Sequence, residues 1–254
     1  MVELTPSLRV DTGVDAHSKV VVTARFSRDV DLDDPRFGLA TTTLEQVAQR
    51  GGFAVDDGTC ALSFLRFDAV AARTVQWAMQ LHNCDPRVFE IFREVFARER
   101  TGALLCRAID VIRMNNEYPD RRLTEWPTEI TDHIAYPGLT SAAAGLYAGG
   151  SDNLSKSRRV LVEQRQSASA ARVTEVATWI EPWARLLEGG GYAMPVGHPS
   201  ATESVFGCVS QYSERELEIA VDRFMASESA WNVLANMLYA VSTVEQTIVR
   251  IELD

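Results

Sequence analysis

Polar and apolar residues alternate along Lys19–Ser27. Val20, Val22, Ala24 and Phe26 share one side and Val21, Thr23 and Arg25 the other, the period of two expected of a strand with one buried face. Leu8–Val10 is a shorter strand candidate ahead of it, across a turn region at Gly13. Arg159–Gln166 and Thr247–Leu253 alternate in the same way. Other stretches have a helical period. Thr41-Thr42-Thr43-Leu44-Glu45 is the predicted cap of a short helix ending at Gly51. A helix is expected from Asp68 to about Leu81, and another opens at Asp85-Pro86 with Val88, Phe89, Ile91, Phe92, Val95 and Phe96 on its apolar stripe. Beyond Gly102 the same period continues through Leu105, Ala108, Ile109 and Ile112. In the later part of the chain, Ala170–Glu188 reads as a helix interrupted by Pro182. Ser213 caps a helix carrying Leu217, Ala220, Val221 and Phe224, and a further helical run holds Trp231, Leu234, Met237 and Leu238.

Gly51-Gly52-Phe53-Ala54-Val55 returns as Gly190-Gly191-Tyr192-Ala193-Met194, in both places after a helical run and before a strand-like one. The first copy leads into Ala61–Phe67 and the second into Ser204–Tyr212. Each is predicted to form a hairpin, the first turning at Asp56-Asp57-Gly58. Residues 158–254 then read as strand, helix, hairpin, helix, strand, the order of the split βαβ or ferredoxin-like unit. The expected fold class is therefore α+β, a tandem duplication of that unit with antiparallel sheets and helices packed on one face. The halves are residues 1–132, with an extended helical region, and 158–254. Residues 133–157 are the linker, and a strand is expected near Leu123–Ile130.

Composition adds constraints. The chain has 254 residues, 46% hydrophobic and 24% charged, enough for one large core or two modest ones. A net charge of -10 and a pI near 5.0 argue against a nucleic-acid partner, which needs a basic face. The four cysteines, Cys60, Cys84, Cys106 and Cys208, form no CxxC, so they read as thiols of a reducing compartment. No basic-then-apolar leader opens the sequence and no apolar run is long enough for a spanning helix, so the expectation is a cytoplasmic protein without a membrane partner.

Motif chemistry is sparse. Both diglycines run from helix to strand, opposite in polarity to a phosphate loop, and Gly149–Ser157 has Ser155 where a P-loop needs glycine. The carboxylates of Asp29–Asp34 open like a calcium loop, but the sixth and twelfth positions hold Asp34 and Ala40 in place of Gly and Glu, so a solvated turn closed by Pro35 is expected. The histidines, His17, His82, His133 and His198, have no paired ligand spacing. Neither a metal nor a cofactor is expected. If the last strand lies beside the first strand of its half, Glu163 and Arg165 share a face with Arg250 and Glu252, while Arg25 and Arg66 hold similar positions in the first half. With His198 in the loop after the second diglycine, these are the candidate ligand-binding residues: Arg25, Arg66, Glu163, Arg165 and His198.

Three functions are weighed. The preferred one is a non-catalytic binding or regulatory protein, of the inhibitor or immunity kind, whose acidic charge suits a basic protein partner. A small-molecule enzyme with its site in a cleft between the halves is the first alternative. A structural protein that assembles into homo-oligomers through edge strands is the second, the exposed edge of Thr247–Leu253 being its motive.

Overall fold

The computed structural model describes residues 18–54, 60–84, 88–96, 106–115, 118–125, 147–148, 157–192, 204–224, 226, 229–245 and 247–253. The first half runs β1 (Ser18–Phe26), α1 (Pro35–Gly38), a π-helical turn (Leu39–Thr43), α2 (Leu44–Gln49), β2 (Ala61–Ala71), β3 (Thr74–His82), α3 (Val88–Glu94), β4 (Cys106–Asn115) and β5 (Tyr118–Glu125). The second runs β6 (Tyr147–Ala148), β7 (Arg158–Gln164), α4 (Ala170–Gly189), β8 (Val205–Gln211), β9 (Glu216–Arg223), α5 (Ser229–Glu245) and β10 (Ile248–Leu253). The result is an α+β protein whose described residues form two five-stranded sheets, ordered β2-β3-β1-β4-β5 and β6-β10-β7-β9-β8. Neighbouring strands are antiparallel throughout, save for the short β6, which runs parallel to β10.

Alternation fixes which face of each sheet is dry. Val20, Val22 and Ala24 of β1 face inward with Val75, Trp77, Met79 and Leu81 of β3. In the second sheet, Val160 and Val162 do so with Leu217, Ile219 and Val221. Helices cover these faces. Trp77 meets Phe92 of α3 edge-on at 4.6 Å, and Phe26 meets Phe37 of α1 at 5.7 Å. In the second half, Trp231 of α5 stacks on Phe224 at 4.5 Å, and the Trp183 indole N–H donates to the Ala230 carbonyl at 2.7 Å.

Three stretches expected to be helical are strands. Residues 74–82 pair with both β1 and β2, 106–115 with β1 and β5, and 216–223 with β7 and β8. In the first and third the buried residues recur every second position, so cross-strand pairing has overridden helix-forming alanine, glutamine and glutamate. The hairpins move accordingly. β2 pairs with β3 and β8 with β9, while Phe53 and Tyr192 lie in turns. The helical segment of the first half also starts earlier than Thr41, at Pro35, because Asp34 caps it. Leu8–Val10, the Asp56-Asp57-Gly58 turn and residues 126–130 of the strand expected near Leu123–Ile130 lie outside the described residues.

The twin glycines end their helices identically. Gly51 and Gly190 both have φ of 80°. The Gly52 amide donates to the Val47 carbonyl at 3.0 Å and Gly51 to Ala48 at 2.8 Å; Gly191 donates to Leu186 at 2.8 Å and Gly190 to Leu187 at 3.3 Å. Each is a Schellman cap, which needs a left-handed residue where glycine carries no Cβ penalty. Phe53 and Tyr192 then turn into the core, both fully buried. Burial pushes the Tyr192 phenol well above its ordinary pKa, and among the described residues its hydroxyl has no hydrogen-bond partner.

The halves meet through their helices. Arg50, at the C-cap of α2, donates to the Thr178 and Trp179 carbonyls of α4 at 2.9 and 2.7 Å, with its guanidinium 5.6 Å from the Trp179 ring centroid. Pro182 explains the site. A proline has no N–H for the carbonyl four residues back, and in α4 that carbonyl is Thr178. Nearby, the Asn236 amide of α5 donates to the Gly52 carbonyl at 3.3 Å in a buried setting.

Candidate functional site

Two outward sheet faces carry the residues singled out from the sequence. Arg25 is exposed on β1, opposite Thr74 of β3 and Ala108 of β4. Arg66 is exposed on β2, opposite Ala78, and is ion-paired with Asp68. Since Ala78 also faces Val21, the two arginines are offset by four positions along the strands, roughly 13 Å at the rise of a strand. Glu163, half-buried on β7, lies opposite Arg250 of β10, and Arg165 is exposed just beyond the strand, its amide bonded to the Thr247 carbonyl at 2.7 Å. The two sets do not converge. Among the described residues, helices occupy the inner face of each sheet and form the contact between halves, on the side away from these polar faces. His198 lies outside the described residues.

The outer face of the second sheet has the more distinctive chemistry. Glu163 stands directly opposite Glu216 of β9, and the next outward pair is Leu161 with Glu218, all half-buried. Like charges facing each other across a ladder oppose folding. Two nearby cations have partners of their own: Arg250 pairs with Glu252 at 2.8 Å, and Arg159 lies 5.7 Å from the Tyr212 ring centroid. Glu216 accepts a hydrogen bond from the Ser213 hydroxyl at 2.7 Å. Reading 213–225 as a helix concealed Glu216 and Glu218. The strict alternation Glu216, Leu217, Glu218, Ile219 was the signal that would have placed both beside Glu163.

A second feature is a concavity of about 560 Å³ lined by Arg28, Asp29, Asp31, Asp34 and Arg73. It forms where the loop after β1 returns to the β2–β3 turn, with the Val30 amide bonded to the Ala72 carbonyl at 2.8 Å. Its charges are largely committed to structure. Arg73 pairs with Asp29 at 3.0 Å, and Asp34 caps α1 by accepting from the Arg36 amide at 3.0 Å while also receiving the Arg36 guanidinium at 3.0 and 2.7 Å. The guanidinium bond holds the Asp34 carboxyl below its ordinary value of 3.8. Asp34→Ala is expected to cost about 1 kcal/mol at neutral pH. A carboxylate whose pKa is lower in the folded state stabilises fully above the unfolded value and stops doing so as pH falls through the folded one. The gap between wild type and variant should therefore close in urea melts below pH 3.8. Among the described residues no group of three or more His, Cys, Asp and Glu is placed to hold a metal ion.

No described helix is long and apolar enough to cross a membrane. No family model matches the sequence, and no curated protein matches it. Among solved structures the chain is similar to a seryl-tRNA synthetase of M. kandleri, solved with A. aeolicus tRNASec, at 11% identity and a TM-score of 0.26, covering 89% of this chain and 31% of that one. The chain thus spans about a third of that synthetase. It is also similar to a putative glycine cleavage system transcriptional repressor, at 11% identity and a TM-score of 0.22 over 94% of this chain and 96% of the other. A point mutant of chlorite dismutase from Candidatus Nitrospira defluvii follows, at 12% identity and a TM-score of 0.21 over 92% and 87%. At such TM-scores these likenesses carry no argument.

Proposed function

We propose that this chain is a non-catalytic binding or regulatory protein that takes a basic protein partner on the outer face of its second sheet. The carrying observation is the facing pair Glu163 and Glu216, with Glu218 on the same face. An arginine or lysine from a partner would neutralise the repulsion between Glu163 and Glu216, so association gains what folding forgoes. Half-buried Leu161 gives the patch an apolar centre inside a charged rim, in keeping with how protein interfaces are built. The overall charge of -10 would speed encounter with a cationic surface.

This reading treats the chain as two ferredoxin-like units in tandem, residues 1–132 and 158–254, with the linker 133–157 lending β6 to the second sheet. Strand order supports it: β2-β3-β1-β4 in one half and β8-β9-β7-β10 in the other follow the same sequence of elements. The matching Schellman caps before Phe53 and Tyr192 support it too.

The test uses wild type and the triple variant Glu163→Gln, Glu216→Gln, Glu218→Gln as baits in the native lysate. One basic protein should be captured stoichiometrically by wild type, be released by moderate salt and be lost from the variant, while the variant melts no lower than wild type. Equal capture by both baits, or no stoichiometric protein on either, would overturn the proposal.

A further inference from the structure

β2 is an eleven-residue strand at the edge of the first sheet, hydrogen-bonded on one side to β3. Two of its apolar side chains face water, Leu65 at 51% and Val70 at 54% exposure. An unpaired edge of this kind is a template for another strand unless something blocks it. The corresponding edge of the second sheet is blocked at one point, since the Phe206 amide of β8 donates to the Glu188 carboxylate at 3.0 Å. Among the described residues no side chain plays that part for β2.

We propose that two copies of this chain pair through β2, antiparallel about a twofold axis at Phe67. The β2–β3 register is irregular between Phe64 and Arg66 and again between Ala69 and Ala71, so the regular stretch is Arg66–Ala69. These irregularities blunt both ends of the strand and confine pairing to its middle. Charge then selects the register. A twofold at Phe67 sets Arg66 opposite Asp68 of the second copy, twice over. Keeping the same faces of both sheets aligned requires a slip of whole residues in the axis, and the two neighbouring choices set Arg66 against Arg66 or Asp68 against Asp68. The Arg66 and Asp68 side chains are 77% and 43% exposed, free to exchange their present ion pair for an intermolecular one. Phe67, stacked on Trp77 at 5.2 Å, would gain its own copy as a neighbour on the helix-covered face.

The experiment measures the monomer–dimer equilibrium by analytical ultracentrifugation for wild type, Asp68→Arg, Arg66→Asp and the double variant carrying both. Wild type should dimerise. Each single reversal sets like charges opposite in both symmetry-related pairs and should raise the dimer Kd by about ten-fold or more, and the double variant should restore it. A wild type that stays monomeric at high concentration, single reversals without effect, or a double variant no better than the singles would each overturn the proposal. Hydrogen exchange on wild type gives a readout independent of any variant: amides of 65–69 should exchange more slowly as concentration rises through the Kd. Concentration-independent exchange there would equally overturn it.

Discussion

Replacing Arg50 with alanine should lower the stability of the folded chain by about 2–3 kcal/mol, the range for losing hydrogen bonds made by a charged donor. The guanidinium donates to two carbonyls of α4, and one of them, Thr178, has no amide four residues on because position 182 is proline. The loss should depend on that proline. Pro182→Ala returns an N–H to the Thr178 carbonyl, so Arg50→Ala should cost less in the Pro182→Ala background. The double-mutant cycle is expected to yield a coupling of about 1 kcal/mol, measured by urea denaturation. Strictly additive costs would mean that Arg50 acts through its packing on Trp179 instead.

The twin diglycines should respond very differently to the same substitution. A Cβ on Gly52 would lie 2.5 Å from Cγ1 of Val47, 3.0 Å from Cγ1 of Val233 and 3.1 Å from the Val47 carbonyl oxygen. Valine is stiff at χ1 and both neighbours are fully buried, so relief requires moving helices. On Gly191 the nearest atom is the flexible Leu186 Cδ2 at 3.1 Å. Gly52→Ala should therefore cost about 2–3 kcal/mol and Gly191→Ala under about 1 kcal/mol. In melting temperature the difference should be about 4–8 °C by calorimetry. Equal losses would show that the crowding at Gly52 relaxes freely.

Much of this fold was legible where period and residue type agreed. β1 and β7 alternate cleanly, the stripe from Val88 to Phe96 is buried in full, and α4 spans almost the predicted residues, while β10 forms where expected but breaks its alternation at a register shift between Ile248 and Arg250 that leaves Val249 exposed. Misreadings fell where helix-favouring residues sit in a strand. Thr74–His82 contains alanine, methionine and two glutamines, and Glu216–Arg223 two glutamates and an alanine, so local propensity pointed one way and pairing partners far along the chain decided the other. In the second half the string strand, helix, hairpin, helix, strand nevertheless agrees with the structure, though the hairpin is made of β8 and β9. Arg250 opposite Glu163 followed from the expected strand order, whereas Glu216 and Glu218 stayed hidden with the misread strand. The Arg50 bonds had no local signal, because their acceptors lie in the other half of the chain.

Helix α5 is buried almost all the way round, from Ala230 through Leu238, and Asn236 reaches across to the first half. It emerges from the ribosome after every other described element except β10. The first half, translated long before, must wait with the Gly52 carbonyl and its surrounding apolar surface uncovered. A chain built this way completes its fold after synthesis of the second half and depends meanwhile on whatever shields nascent protein from aggregation.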